Sequence, residues 1–179
     1  MDNIKSIATG TIITILIGGT AYTISQEDVI QNFSDDTGLT QEQAELYINE
    51  IPEEELVSFD RVGSDLINEG QELLTVANDT DCINYEYEWE VAILSCPEGK
   101  TQIDKLARDT ISLGQAYIKL SLDSASKDDI SKTIILIDQL NLDYQLEIVS
   151  QLWDWSTIDE VKKTHSYNKA ILKAALESE

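Results

Sequence analysis

The chain has 179 residues and a net charge of −22, with 34 acidic side chains against 12 basic ones. Such a charge repels phosphate polymers and anionic membrane surfaces, so it argues against nucleic-acid binding. Hydrophobic residues make up 42% of the chain, which is enough for a packed core, and only 2 prolines and 8 glycines interrupt it. These values favour long regular elements with a solvated acidic surface, or with a surface that binds a basic partner or cations.

The N-terminal segment from Ser6 to Gln26 carries no charged side chain. Three interpretations compete: a membrane anchor through residues 7–24, a secretory signal cut near Gly19-Thr20-Ala21, and a buried apolar helix. Lys5 precedes the segment and acidic residues follow it, so the flanking charges favour an acidic body on the exported side of a membrane. We therefore expect an N-terminal apolar helix within residues 1–26, as anchor or signal, and an acidic helical domain over residues 27–179.

The body of the chain has the periodicity of a helical bundle. Ser25 is a candidate cap for a short helix, and Thr40 with Gln43 forms a capping box before a helix over residues 41–50. A longer helix is predicted from Pro52 to about residue 78. Its apolar stripe consists of Phe59, Gly63, Leu66, Gly70, Leu73 and Ala77.

Three further helices follow the segment 81–101. The first has a stripe of Ile103, Leu106, Thr110, Leu113, Tyr117 and Leu120. The second begins at Ser126 with Asp129 and has a break near Asn141. Thr157 with Glu160 opens the last helix. The sequence thus predicts a mainly α fold: a bundle of about five helices with one short β insertion near residues 82–96.

The β insertion contains both cysteines, Cys82 and Cys96. A disulfide requires Cα atoms within about 7 Å. Neither a continuous strand nor a continuous helix between these positions meets that limit. A hairpin that pairs the two cysteines also places Tyr85 and Tyr87 on one apolar face. We therefore predict a disulfide-clasped hairpin, while a helical interpretation of the segment stays open.

The tip of this predicted cysteine hairpin is Glu88-Trp89-Glu90. An exposed tryptophan between two glutamates is a candidate contact for a protein partner. The alternative is that a helix or loop covers Trp89.

No motif supports nucleotide, metal or acid–base chemistry. Gly99-Lys100-Thr101 mimics the end of a phosphate loop, but Leu94 stands at the first glycine position and Glu98 would repel phosphate, so a helix start is favoured. Asn78-Asp79-Thr80-Asp81 begins like a calcium loop, but Ile83 stands where a ligand is needed. The one histidine, His165, has no evident nucleophile partner and is interpreted as a surface or packing residue. We predict no catalytic residue, no metal and no cofactor.

The sequence therefore favours a non-enzymatic exported or membrane-tethered subunit, an accessory or scaffold protein that binds an unidentified protein partner. The alternative is a small-ligand or cation-binding domain, for example for calcium, in the same compartment. An enzyme that uses two carboxylates is a third hypothesis, which would need two such groups to converge in a pocket.

Overall fold

The structure, a computed structural model, describes residues 12–51, 59–79, 96–146 and 148–178. The described part is mainly helical, which confirms the mainly α character of the predicted fold, and its small antiparallel sheet is formed by residues 12–25. It contains six helices of ten or more residues and one of four. The elements in chain order are β1 (Ile12–Ile17), β2 (Thr20–Ser25), α1 (Gln26–Thr37), α2 (Gln41–Glu50), α3 (Phe59–Asp79), α4 (Cys96–Ser121), α5 (Lys127–Asp143), α6 (Val149–Leu152) and α7 (Trp155–Glu177).

Three of the predicted helix starts are confirmed by their hydrogen bonds. The Ser25 hydroxyl accepts from the backbone N–H of Glu27 at 3.1 Å and caps α1. Thr40 and Gln43 form the predicted capping box of α2, and Ser126 with Asp129 forms that of α5. Each box satisfies N–H groups that the first turn of a helix leaves without a partner.

The start of the last helix was predicted wrongly. Asp154, not Thr157, caps α7, because the Asp154 carboxylate accepts from the backbone N–H of Thr157 at 2.9 Å and from its hydroxyl at 3.0 Å. The helix therefore begins at Trp155, which is 71% exposed, while Trp153 packs edge-on against Tyr144. An ionised aspartate is the stronger cap, and hydrogen bonds from the Ser156 hydroxyl and from Thr157 hold the pKa of Asp154 down at about 2.

The helices α3 and α4 form the closest helix pair of the fold. Both predicted stripes are confirmed, because all six residues of each are buried. A Cβ atom built on Gly63 would lie 2.6 Å from the Gly114 carbonyl oxygen, and one on Gly70 would lie 2.8 Å from that of Ala107. The missing side chains let two backbones touch, which is why glycine is tolerated inside these helices.

The remaining helices extend outward from this pair in an unbranched order. Helix α4 packs on α5, α5 on α7, α7 on α1, and α1 on α2, while the sheet contacts α7, α1 and α4. The core lies along these contacts. Its largest fully buried side chains are Tyr117, Phe33, Ile17, Ile24, Leu106, Leu113, Leu120, Ile130, Ile137, Leu140, Ile171 and Leu172.

The predicted N-terminal apolar helix is wrong for residues 12–25, which form two paired strands, here called the N-terminal hairpin. Gly18 and Gly19 both have positive φ, 59° and 71°, as a tight two-residue hairpin turn requires. The Gly18 N–H donates to the Leu120 carbonyl at 3.0 Å and holds the turn against the end of α4. In the described residues, no helix is both long and apolar enough to cross a membrane.

The predicted cysteine hairpin lies outside the described residues, except for its last residue. Cys96, predicted as a strand residue, is instead the first residue of α4. Pro97 suits the start of a helix because the first turn needs no N–H donor there. The Cys82–Cys96 bridge stays a prediction, as do the predicted contacts of Glu88, Trp89 and Glu90.

Candidate functional site

The N-terminal hairpin presents two different faces. The inner face carries Ile17 and Ile24, which are each 1% exposed. The outer hairpin face, defined as Ile12, Thr14, Leu16, Ala21 and Thr23, is exposed to solvent. Ile12 and Leu16 are 66% and 67% exposed, so the alternation of strand side chains leaves two large aliphatic groups outside the core.

The edges of this sheet lack strand partners in the part of the chain that the structure describes, where β1 and β2 pair only with each other. Each strand therefore directs one row of backbone N–H and C=O groups away from the other strand. Such an edge is a template for another strand unless charges or bulges block it. Neither strand contains a charged residue or a proline.

The surroundings of the outer hairpin face are acidic. Glu27 and Asp28 lie two and three residues after the end of β2 and are exposed, and the Asp123 carboxylate lies next to Gly19 in the turn. An uncharged, partly apolar surface is unusual on a chain of net charge −22. Its position next to carboxylates favours a partner with an extended apolar segment and basic flanks.

A second candidate is a pair of carboxyl groups between α4 and α5. The Lys105 ammonium donates to Asp109 at 2.7 Å and also to Asp143, and the Gln139 amide donates to Asp143 at 3.1 Å. Burial raises the pKa of Asp143, and hydrogen bonding to Asp109 adds to the rise. For Asp109, burial acts in the same direction, but the hydrogen bonds with Asp143 and Lys105 outweigh it and lower the pKa.

Opposite pKa shifts in two neighbouring carboxyl groups are typical of a pair that holds one proton. Catalytic carboxyl pairs use the same arrangement. Asp143 is only 3% exposed, however, and Lys105 already contacts both carboxyl groups. A substrate therefore cannot reach Asp143 in this conformation, and the pair does not support the hypothesis of a carboxylate enzyme.

His165 lies in the core of the bundle on α7. It is 4% exposed, its ring centroid is 5.8 Å from that of Tyr144, and its Nδ1 atom has no hydrogen-bond partner among the residues that the structure describes. Burial lowers the pKa of His165 to about 4. His165 is thus a packing residue, which is one of the two alternatives that the sequence left open.

The residues of the nucleotide interpretation belong to a helix. Gly99, Lys100 and Thr101 lie in the first turns of α4, where Gly99 is buried and the Thr101 hydroxyl donates to the Pro97 carbonyl at 2.9 Å. A phosphate loop is therefore not formed by these residues.

The candidate calcium segment is only partly described, because Asn78 and Asp79 end α3 and the residues after them lie outside the described ranges. Within those ranges, no three His, Cys, Asp or Glu side chains are grouped closely enough to hold a metal ion.

The sequence interpretation overlooked both the N-terminal hairpin and the carboxyl pair. The hairpin had a signal, since Gly-Gly lies between two runs of β-branched residues. The carboxyl pair had no signal in the sequence, because Asp143 is 34 positions from Asp109 along the chain. No family model, no curated protein and no solved structure matches this chain.

Proposed function

We propose that this chain is a non-enzymatic protein-binding subunit, which adds an extended segment of a partner protein to an edge of its N-terminal hairpin. The observation that carries the proposal is the uncharged outer hairpin face with Ile12 and Leu16 about two-thirds exposed. Strand addition supplies main-chain hydrogen bonds for affinity, and alternate side chains of the added strand contact one face for specificity.

The partner segment has a defined chemistry. Apolar and β-branched side chains fit the aliphatic groups of the outer hairpin face, and lysine or arginine at the ends complements Glu27, Asp28 and Asp123. A second copy of this chain is a poor partner, because it would bring another net charge of −22 to the same surface.

We also propose that the protein acts on the exported side of a membrane and that Cys82 and Cys96 form a disulfide there. The antiparallel register of α3 and α4 supports the bridge. Gly63 lies against Gly114 and Gly70 against Ala107, so the end of α3 lies beside the start of α4. Cys82 follows the last residue of α3 by three positions, and Cys96 is the first residue of α4. Intact mass after thiol alkylation, with and without prior reduction, tests the bridge; two alkylated thiols without reduction would refute it.

The binding proposal is tested with a synthetic peptide that alternates valine and threonine and has lysines at both ends. We expect it to shift the backbone amide signals of residues 12–25 in NMR spectra, with an affinity that weakens as salt is added. A peptide of the same core with glutamates at both ends is the control, and it should not bind.

Two variants of the protein locate the binding surface. Leu16→Lys places a charge on the edge strand and should weaken peptide binding by about ten-fold or more. Ile135→Lys is the matched control, because Ile135 is 65% exposed but lies on α5. Equal loss in both variants, or amide shifts outside the hairpin, would refute the proposal. A dimer that Leu16→Lys dissociates in sedimentation would instead identify a second copy as the occupant.

A further inference from the structure

One face of α4 holds the end of α5 and the connection that follows it. The Ile148 backbone N–H donates to the Gln102 side-chain oxygen at 3.1 Å, and Lys105 donates to Asp143, the last residue of α5. Asp109 lies one turn further along the same face of α4. These five residues, Gln102, Lys105, Asp109, Asp143 and Ile148, are called the α4–α5 latch below.

The two oxygens of Asp143 have different surroundings. Oδ1 accepts from the Lys105 ammonium and from the Gln139 amide, whereas Oδ2 is buried and has no hydrogen-bond donor among the described residues. Burying a carboxylate oxygen without a donor is costly. A protonated Asp143 carries its own donor, and Asp109 is a nearby acceptor, since the same Lys105 ammonium contacts both side chains.

We propose that Asp109 and Asp143 share one proton, and that release of this proton to solvent loosens the α4–α5 latch. With the proton in place, one negative charge faces Lys105 and the carboxyl groups attract each other through a hydrogen bond. Without it, two carboxylates repel each other at short range in a poorly solvated site. The raised pKa of Asp143 and the lowered pKa of Asp109 agree with this arrangement.

Among the described residues, the other titratable groups near the latch do not neutralise the second negative charge. Glu69 on α3 and the Tyr144 phenol lie close enough to interact with each other, and both have raised pKa values, chiefly from burial. His165 on α7 contacts the Tyr144 ring and stays neutral down to about pH 4, where its pKa lies. Lys105 is the cation in direct contact with both carboxyl groups, and its pKa is raised by the same hydrogen bonds against the opposing effect of burial.

Loosening of the latch affects the connection between α5 and α7. Tyr144 directly follows Asp143 and packs against Trp153, with ring centroids 6.4 Å apart. Loosening of the latch therefore changes the environment of the Ile148 amide and of the Trp153 indole. These two groups report the state of the latch without taking part in the proton exchange.

The test is a carbon-detected NMR titration of the aspartate carboxyl groups in the full-length chain. We expect Asp143 to titrate above its ordinary pKa of 3.8 and Asp109 below it. The Ile148 amide and Trp153 indole signals should shift with the Asp143 midpoint. The proposal would be overturned if Asp143 titrated at or below 3.8, or if the Ile148 and Trp153 signals did not shift with the Asp143 titration.

Three variants distinguish the effect of the shared proton from the effect of side-chain packing. Asp143→Asn retains a donor toward Asp109 and should abolish the pH-dependent shift at Ile148. Asp109→Asn removes the carboxylate partner and should lower the pKa of Asp143 relative to the unmodified chain. Asp128→Asn, on the exposed part of α5, is the control and should leave both titrations unchanged. If Asp143→Asn does not fold, the titration of the unmodified chain decides the question by itself.

Discussion

The stability of this protein should fall in mild acid because of one buried histidine. His165 is the single histidine of the chain, and its Nδ1 atom has no hydrogen-bond partner in the described part of the structure. Burial lowers the pKa of His165 from 6.5 to about 4 in the folded state, with desolvation as its cause. An unfolded chain regains the ordinary value, so between these two pH values the unfolded state binds more protons than the folded state.

The sign and size of the effect follow from this difference. Above pH 6.5 the neutral buried ring makes its full contribution to the free energy of unfolding, and this contribution is lost as the pH falls toward about 4. Each unit of pKa difference corresponds to about 1.4 kcal/mol, so the free energy of unfolding should drop by about 3 kcal/mol over this window. A drop of that size is a large share of the 5–15 kcal/mol that is typical of folded domains.

Urea denaturation of the unmodified chain and of His165→Gln at pH 7, 6, 5 and 4 measures this contribution. Glutamine does not titrate and lacks the Nδ1 atom of histidine. The free energy of unfolding of His165→Gln should therefore fall less between pH 7 and pH 4 than that of the unmodified chain. The raised pKa of Asp143 acts in the opposite direction, since it favours the folded state at low pH, but both proteins retain it and it cancels in the difference. Parallel stability curves from pH 7 to pH 4 would refute the reasoning.

Three further predictions concern packing and charge. Gly63→Ala should lower the free energy of unfolding by about 2–3 kcal/mol, because its Cβ would lie 2.6 Å from a backbone oxygen. Gly99→Ala meets, among the described residues, only a side-chain methyl at 3.4 Å and should change stability little in the same urea assay. Asp36→Asn should lower the free energy of unfolding by about 2 kcal/mol, because it weakens the contacts to two lysines of α7. Asp138 is half exposed, so Asp138→Asn should lower the free energy of unfolding by less than about 1 kcal/mol. Equal losses in the two variants would contradict the burial argument. Deletion of residues 1–17, through the end of β1, should lower the melting temperature and increase the binding of a dye to exposed apolar surface, because β1 contributes the fully buried Ile17. An unchanged melting temperature would show that the N-terminal hairpin is dispensable to the fold.

The parts of the fold that the sequence predicted are those that local chemistry decides. The stripe from Phe59 to Ala77 is visible because helical periodicity and burial coincide along it. Gly63 in that stripe makes a close backbone contact with α4. Capping boxes at Thr40 and Ser126 were equally legible, since all their atoms lie within four residues.

The N-terminal hairpin was missed because its composition satisfies two different patterns. A run of uncharged apolar residues suggests a helix of membrane length, and the same run suggests two short strands when Gly-Gly divides it. The positive φ values of Gly18 and Gly19, with the Leu120 carbonyl as a hydrogen-bond acceptor, favour the strands. That acceptor is about 100 residues away in sequence, so only tertiary structure reveals it.

The two proposed sites lie at different positions along α4 and are physically separable. The turn of the N-terminal hairpin contacts Leu120, whereas the latch uses Gln102, Lys105 and Asp109. At 1.5 Å per residue, Asp109 lies about 16 Å from Leu120 along the helix axis. Substitutions at that distance with no shared partner usually have additive effects. A double variant of Leu16→Lys and Asp143→Asn should therefore lose peptide binding and the pH response independently, and coupling between the two losses would mean that α4 transmits the state of the latch to the hairpin.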